Sequence, residues 1–144
     1  MTAAPTVLDG LDDVRAAVGR DLGTTAWIEV TVRSVELFTR ATSAEGPRDG
    51  GIPVVPPEMV LALTNLFLPQ LVVVEGVSAG VNYGTEQVRY GAALPVASRV
   101  RARAELTAAD EVPGGVQTTI RITVEAEGTA EAVCVVDSLS RWLA

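Results

Sequence analysis

Apolar and polar residues alternate along much of the second half of the chain. In residues 98–108 the apolar positions are Val100, Ala102, Ala104 and Leu106, and the polar positions are Arg99, Arg101, Arg103 and Glu105. Residues 116–126 alternate in the same way through Ile120, Ile122 and Val124. A period of two residues predicts β-strands with one buried face. Two further strands are predicted, over residues 76–90 with a bulge near Gly80 or Gly84, and over residues 130–142.

A continuous apolar segment precedes these strands and predicts a helix. Its apolar residues are Met59, Val60, Leu61, Ala62, Leu63, Leu66, Phe67 and Leu68. Pro57 can begin the helix, because proline is tolerated in the first turn. Pro69 is expected to end it, because proline has no backbone N–H. A helix that is apolar almost all round must be enclosed by other structure, so the sequence predicts a sheet wrapped around it.

The first half of the chain predicts smaller elements. Residues 1–8 are expected to form a loose terminus, and Asp9 and Thr31 are each expected to cap a helix. The predicted apolar faces are Leu11, Val14 and Val18 in the first helix and Val32, Val35 and Phe38 in the second. Residues 27–30 predict a short strand, and residues 42–53 are rich in glycine, proline and charge and predict a loop. The 144 residues are therefore predicted to form one α+β domain, in which a long antiparallel β-sheet wraps around a central apolar helix.

Histidine is absent from the chain, and this absence excludes several kinds of chemistry. A histidine base, a Ser-His-Asp triad and a histidine-ligated metal cannot be formed. Cys134 is the only cysteine, so neither a thiolate zinc site nor a disulfide within the chain is available. Cys134 is expected to act as a small core residue. The sequence predicts no metal and no cofactor.

The charge and the apolar segments limit where the protein acts and what it binds. The formal net charge is −7 and the chain has no lysine, so nucleic acid is not an expected partner. The longest apolar stretch is interrupted by prolines and polar residues, so it does not predict a membrane span. No signal peptide is evident, and the single cysteine fits a reducing compartment. We therefore expect a cytoplasmic protein.

Two adjacent segments resemble a known family. Residues 81–90 (VNYGTEQVRY) and 93–102 (ALPVASRVRA) resemble the NYG…VRF…PVPVGSRVRA signature of the MaoC-like (R)-specific enoyl-CoA hydratases. Residues 11–23 and the turn EVPGGV at residues 111–116 are similar as well. The resemblance covers nearly the whole chain. It implies a hot-dog fold, a dimer, and a tunnel for an acyl thioester along the central helix.

The resemblance also implies catalytic residues that this chain does not encode. In catalytic family members an aspartate and a histidine, five residues apart, lie on a loop before the central helix. The backbone N–H of a glycine at the start of that helix polarises the thioester carbonyl with help from the helix dipole. Here residues 43–49 (SAEGPRD) occupy the loop, and Pro56-Pro57 occupies the His-Gly position. Ordinary hydration by the family mechanism is therefore not expected.

Three residues are candidates for catalysis. Glu58 lies in the first turn of the predicted helix, where the family binds its thioester, although a carboxylate is also simply favoured at a helix N-terminus. Asp49 lies on the loop that replaces the catalytic one, although a charged loop is usually only solvated. Tyr83 belongs to the family-like strand, and its hydroxyl either points into the tunnel or is satisfied by packing.

Four further residues are candidates for substrate binding. Asn65 interrupts the apolar helix and either pins the helix to a strand or faces a ligand. Asn82 belongs to the family-like strand, and Met59 follows Glu58 on the helix. Trp27 is a candidate binding residue whose alternative role is packing or an interface.

Three functions are compatible with these features. The first, which the complete and long-stranded domain favours over the second, is an enzyme that binds an acyl-thioester or polyketide-derived substrate in an apolar tunnel but catalyses a different reaction, such as a cyclisation, an isomerisation or an unusual dehydration. The second is a non-catalytic hot-dog subunit or ligand-binding protein that partners a catalytic hydratase, which the Pro56-Pro57 pair favours. The third, a conventional hydratase that uses Asp49 and Glu58, ranks last. The expected assembly is a homodimer or a heterodimer with another hot-dog subunit.

Overall fold

The computed structural model describes residues 4–144, with only the backbone described at residue 48. The helices are α1 (Gly10–Ala16), α2 (Val32–Thr42) and α3 (Pro57–Leu71). The strands are β1 (Thr6–Asp9), β2 (Asp21–Thr24), β3 (Ile28–Glu29), β4 (Arg48–Asp49), β5 (Ile52–Pro53), β6 (Val72–Glu75), β7 (Ala79–Tyr90), β8 (Arg99–Val112), β9 (Gly115–Ala126) and β10 (Cys134–Leu143).

The main sheet is antiparallel and has the strand order β2-β8-β9-β10-β7, with β3 also pairing with β8. The four long strands predicted from the alternating pattern correspond to β7, β8, β9 and β10. β7 and β10 begin three and four residues later than predicted, at Ala79 and Cys134, whereas β8 begins within one residue of its prediction, at Arg99. Gly114, with φ 81°, supplies the positive φ that the tight β8–β9 turn requires.

The core lies between the concave face of this sheet and α3. The predicted inward positions of β8 are buried, with Val100 and Ala102 fully so. From β9, Ile120, Ile122 and Val124 are buried against them. The helix contributes Met59, Val60, Phe67 and Leu71. Cys134 is fully buried and free, as expected of a small core residue. The predicted α+β architecture, a sheet curved around an apolar helix, is confirmed.

The strand β7 contains two irregularities where it pairs with β10. The pairing passes from Gln87 directly to Thr85 and from Gly84 directly to Asn82, so Glu86 and Tyr83 are the extra residues. The predicted bulge near Gly84 is therefore confirmed, and an inserted residue of this kind bends a strand and increases its twist.

The central helix begins at Pro57 as predicted but does not end at Pro69. It continues to Leu71, so the predicted end is wrong. A proline in a helix removes one backbone hydrogen bond and crowds the carbonyl four residues earlier. Near the last turn this cost is small, and Gln70 contributes an additional bond by donating from Nε2 to the carbonyl of Leu66 at 2.8 Å.

The prediction that this helix is enclosed on all sides is also wrong for the single chain. Glu58, Ala62, Asn65 and Pro69 are exposed, and Leu66 is 50% exposed. These positions recur at helical spacing, so they form one stripe along the helix. We call this stripe, Glu58, Ala62, Asn65, Leu66 and Pro69, the open stripe of α3.

The first half of the chain departs most from the predictions. Residues 1–3 lie outside the described part, but Thr6–Asp9 is a strand that pairs in parallel with β6 and is not a loose terminus. Asp9 occupies the N-cap of α1 without a side-chain cap bond; instead its N–H donates to Oδ2 of Asp13 at 2.9 Å. Val18 lies beyond the end of α1 and is 47% exposed. The two strands of this parallel pair are separated by some sixty residues, so no local sequence pattern indicates that they pair.

The second helix follows its prediction closely at its start. Thr31 is the N-cap of α2, and its Oγ1 accepts from the N–H of Ser34 at 3.1 Å. Val35 and Phe38 pack on the core, whereas Val32 is 56% exposed. The predicted loop contains the short hairpin β4–β5. No helix in residues 4–144 has the length and apolar character needed to cross a membrane.

Burial of α3 predicts a large difference between two leucine substitutions. Leu71 is 1% exposed, so Leu71→Ala is expected to lower the free energy of unfolding by about 2–5 kcal/mol. The matched control, Leu37→Ala, removes a side chain that is 48% exposed on α2 and should cost below about 1 kcal/mol. Urea denaturation at one fixed protein concentration measures both. Equal losses would contradict the packing described here.

Candidate functional site

The start of α3 borders an apolar cavity of about 140 Å³, which we call the proximal cavity. Its lining residues are Pro47, Val54, Val55, Pro57, Val60, Tyr90, Gly91, Ala92, Ala93, Leu94 and Val133. The buried Pro56 is the N-cap, and its carbonyl accepts from the N–H groups of Met59 and Val60 at 2.9 and 3.4 Å. Pro57 has no N–H. The N–H of Glu58 is therefore the first donor of the helix, and it has no partner among the described residues.

Tyr90 lines this cavity, and Glu58 follows the lining residue Pro57 on α3. The Glu58 carboxylate is exposed and forms no hydrogen bond or ion pair with residues 4–144. Partial burial raises the pKa of the Tyr90 phenol, and negative charge at Cys134 and Glu58 acts in the same direction. Burial also raises the pKa of the Cys134 thiol. The site therefore holds a carboxylate and a phenol that stays protonated to higher pH than usual.

The other end of α3 is joined to β7 by a pair of amides. Asn82 Nδ2 donates to Oδ1 of Asn65 at 3.2 Å, and Asn65 Nδ2 donates to the carbonyl of Ala62 at 3.3 Å. Beside them lies a cavity of about 200 Å³, which we call the distal cavity. Its lining residues are Asn65, Leu68, Pro69, Gly80, Val81, Asn82, Ser140 and Trp142. The structure thus brings together two of the predicted binding residues.

Tyr83 lies on the opposite face of the sheet from both cavities. Its ring packs under the guanidinium of Arg141, 3.5 Å from the ring centroid, and Arg141 donates from Nε to Gln117 at 2.8 Å. Along β10, Arg141 alternates with Ser140 and Trp142, which line the distal cavity, so Arg141 faces outward. Tyr83, the extra residue of the bulge, faces outward together with Arg141. Within one chain the structure therefore does not bring Tyr83 to Glu58.

Two of the predicted binding residues also lie away from the cavities. Trp27 packs under the guanidinium of Arg101, which lies 4.5 Å from its ring centroid and alternates with the buried Val100 and Ala102. Trp27 is therefore on the outer face. Met59 is 6% exposed and belongs to the core.

Asp49 lies on the β4–β5 hairpin and is exposed. The hairpin borders the proximal cavity through Pro47 and Val54, where the N–H of Val54 donates to the carbonyl of Pro47 at 3.3 Å. No hydrogen bond or ion pair joins Asp49 to Glu58. The three predicted catalytic residues thus occupy a hairpin, a helix start and the outer sheet face.

Three residues of the cavities were missed by the sequence analysis: Tyr90, Ser140 and Trp142. Alternation along β10 places Ser140 and Trp142 on the same face as the buried Val136, so a closer look at this strand would have found them. Tyr90 ends the family-like strand, and no local signal indicates that it meets the start of α3.

The outer face of the sheet carries arginines that are paired with carboxylates. Arg121 binds both carboxylate oxygens of Asp137 at 2.8 and 2.9 Å, and this lowers the pKa of Asp137. Arg101 and Arg103 both bind Glu125, which also has a lowered pKa. The positive charges of these arginines are therefore balanced by neighbouring carboxylates. Within residues 4–144, no group of three or more Cys, Asp or Glu side chains is placed to hold a metal ion.

The fold is that of the hot-dog proteins. An Archaeoglobus monoamine oxidase regulatory protein matches with a TM-score of 0.73 at 16% identity, over 98% of this chain and 97% of that one. The (R)-hydratase from A. caviae involved in PHA biosynthesis matches with a TM-score of 0.67 at 15% identity, over 85% and 94%. The HadBC (3R-hydroxyacyl-ACP dehydratase) complex of Mycobacterium tuberculosis matches with a TM-score of 0.60 at 15% identity, over 87% and 99%.

Sequence similarity identifies the family within that fold. The chain is 36% identical over 149 aligned positions to 3-hydroxyacyl-thioester dehydratase Z of Mycobacterium tuberculosis, covering 94% of this chain and 97% of the relative. No protein-family model matches the chain. The chain belongs to the MaoC-like family of 3-hydroxyacyl-thioester dehydratases and (R)-hydratases, as its sequence motifs predict.

The negative charge of Glu58 adds to burial in raising the Tyr90 pKa, and this contribution can be tested by substitution. The chain has two tyrosines, so Tyr90→Phe leaves only the Tyr83 transition in an alkaline absorbance titration. Glu58→Gln removes a negative charge near the phenol, which favours the phenolate and should move the Tyr90 pKa down towards its ordinary value.

The control for this titration is Glu29→Gln, at an exposed carboxylate on β3. It should leave the Tyr90 transition in place. If Glu58→Gln leaves the Tyr90 pKa unchanged, the Glu58 carboxylate does not raise the pKa of the phenol.

Proposed function

We propose that the protein binds the acyl part of an acyl thioester, or a polyketide-derived acyl group, between α3 and β7, as one subunit of a two-chain hot-dog assembly. The observation that carries the proposal is the open stripe of α3. It has the apolar proximal cavity at its start and the distal cavity at its end. A second chain laid over this stripe would convert the groove into a tunnel.

The thioester carbonyl is proposed to lie at the start of α3. The helix dipole favours a partial negative charge there, and the Glu58 N–H is an available donor. This donor lies one residue later than the position that the family resemblance implies, because Pro57 has no N–H. The carboxylate of the same residue would oppose a full negative charge on the thioester oxygen, so the arrangement suits binding better than stabilisation of an enolate.

A binding subunit is favoured over a conventional hydratase by the separation of the candidate catalytic groups. Hydration needs an acid and a base within hydrogen-bond reach of one substrate. The chain has no histidine, and its predicted catalytic residues lie on three different elements. The similar HadBC structure is a dehydratase complex. We therefore propose that this chain pairs with a catalytic hot-dog subunit. The proposed compartment is the cytoplasm.

The second candidate is a histidine-free lyase or isomerase acting on the same class of ligand. Its support is the carboxylate of Glu58, which has no partner, beside the Tyr90 phenol with its raised pKa. Such a pair could serve as base and acid in a cyclisation, an isomerisation or an unusual dehydration, once the tunnel holds a flexible acyl chain in a reactive conformation.

Calorimetric titration with octanoyl-CoA tests binding, and the loss of enoyl absorbance from crotonyl-CoA tests hydration. We expect saturable octanoyl-CoA binding and no hydration above buffer. Ala62→Arg fills the open stripe and should weaken binding at least about tenfold, since a buried, unpaired charge is costly.

Ala41→Arg, at an exposed alanine on α2, is the matched control and should bind as the unaltered protein does. Turnover of crotonyl-CoA abolished by Glu58→Gln would contradict the binding role and support a catalytic one. Equal affinities for the two arginine variants would contradict the proposed location of the ligand.

The assembly is proposed to form across the open stripe and β7, because both are left uncovered. β7 is an edge strand of twelve residues, and an unpaired edge of this length tends to pair with another strand. Leu66, Tyr83 and Tyr90 are each about half exposed nearby. A second hot-dog chain, either another copy or a catalytic subunit, would cover these side chains.

Light scattering of the protein purified alone tests this interface. We expect a two-chain species that Leu66→Arg converts to single chains, because the charge would be buried against the partner. Leu37→Arg, at 48% exposure on α2 against 50% for Leu66, should not alter the mass. A stable two-chain Leu66→Arg variant would show that the open stripe is not the interface.

A further inference from the structure

The distal cavity is largely apolar, but Asn65, Asn82 and Ser140 give it three polar lining residues. It lies between the second half of α3 and the inward faces of β7 and β10. Gly80 makes room for the Trp142 ring, because a Cβ at that glycine would come within 2.6 Å of the ring. The ring fixes one wall of the cavity, and its Nε1 already donates to Oγ1 of Thr118 at 3.0 Å.

Ser140 is the buried polar residue of this cavity that lacks a partner. It is 3% exposed, and its hydroxyl forms no hydrogen bond with any described residue. No side-chain N or O atom that is fully shielded from solvent lacks a partner in residues 4–144. The Ser140 hydroxyl therefore keeps a small contact with solvent, and Ser140 lines the distal cavity. A ligand that fills the cavity would exclude water from this hydroxyl, so a hydrogen-bonding group on the ligand is favoured there.

Asn82 supplies further unused hydrogen-bonding capacity on the same cavity. Its Nδ2 donates to Asn65, which is itself anchored to the carbonyl of Ala62. A side-chain amide has two N–H donors and one carbonyl acceptor. One N–H and the carbonyl oxygen of Asn82 are thus left, at the wall that also presents the Ser140 hydroxyl.

We propose that the distal cavity binds an oxygen-bearing group, a hydroxyl or a keto oxygen, on the acyl chain far from its thioester. The inference rests on the proposed function, which places the thioester at the start of α3. Seven residues of helix separate Glu58 from Asn65, so the oxygen lies about 10 Å from the carbonyl, or roughly eight bonds along an extended chain. A plain alkyl tail would bury the Ser140 hydroxyl and the Asn82 amide without partners, so the cavity discriminates against it.

The test compares octanoyl-CoA with 8-hydroxyoctanoyl-CoA by calorimetric titration of the full protein. The hydroxylated thioester is expected to bind about tenfold more tightly, which corresponds to a single hydrogen bond gained in a buried site. Ser140→Ala and Asn82→Ala should each reduce this preference. Ser138→Ala should retain it: Ser138 lies two residues earlier on the same strand, is also buried without a side-chain hydrogen bond, and does not line the cavity.

A second measurement separates this inference from the proposed function. Free 8-hydroxyoctanoate, but not octanoate, should shift the NMR signal of the Asn82 side-chain amide, assigned through Asn82→Asp. If both thioesters bind equally, or if Ser140→Ala retains the preference, the polar subsite is refuted while thioester binding stands. If no thioester binds but the hydroxy acid shifts the Asn82 signal, the subsite stands and the proposed function fails. If neither effect is seen, both are refuted.

Discussion

Burial of one face of α3 against the curved sheet is the interaction on which the rest of the structure depends. Phe67 and Leu71 are fully covered on this helix, and they pack on inward residues of β8 and β9 such as Val100 and Ile122. Aromatic residues are few, so aliphatic side chains supply most of this apolar contact. β7 carries two bulges, and one stripe of the helix is left uncovered by the sheet.

That partial cover leaves exposed the surface that we propose as the ligand site. The open stripe of α3 is apolar at Ala62, Leu66 and Pro69 but carries Glu58 at its start and Asn65 in its second half. The two ends therefore differ in chemistry: a helix start with an unused N–H, and a cavity with an unpaired serine and a partly used amide. A ligand that satisfies both ends has a polar carbonyl, an apolar middle and a second polar group.

The chain has no histidine, whereas the family resemblance implies an aspartate and a histidine as the catalytic pair. The structure contains the apolar groove. The residues that could replace the catalytic acid and base lie on separate elements. Glu58 on α3 and Tyr90 on β7 also lie on different elements, but the charge of Glu58 adds to burial in raising the pKa of Tyr90. Cys134 is fully buried in the core and lines neither cavity.

The sequence by itself determined the fold class, the four long strands, the start of α3, the Thr31 cap and the family, because each depends on local periodicity, capping or a motif. It did not determine the parallel β1–β6 pair, the continuation of α3 past Pro69 or the open stripe, because these depend on long-range packing. The same holds for the site. Asn65 and Asn82 were predicted as separate candidates, and only the tertiary structure joined them. Tyr83 lies on the outer face because the face of a strand residue depends on its register and bulges. Trp27 lies outside the strands, and its position on the outer face depends on its packing against Arg101.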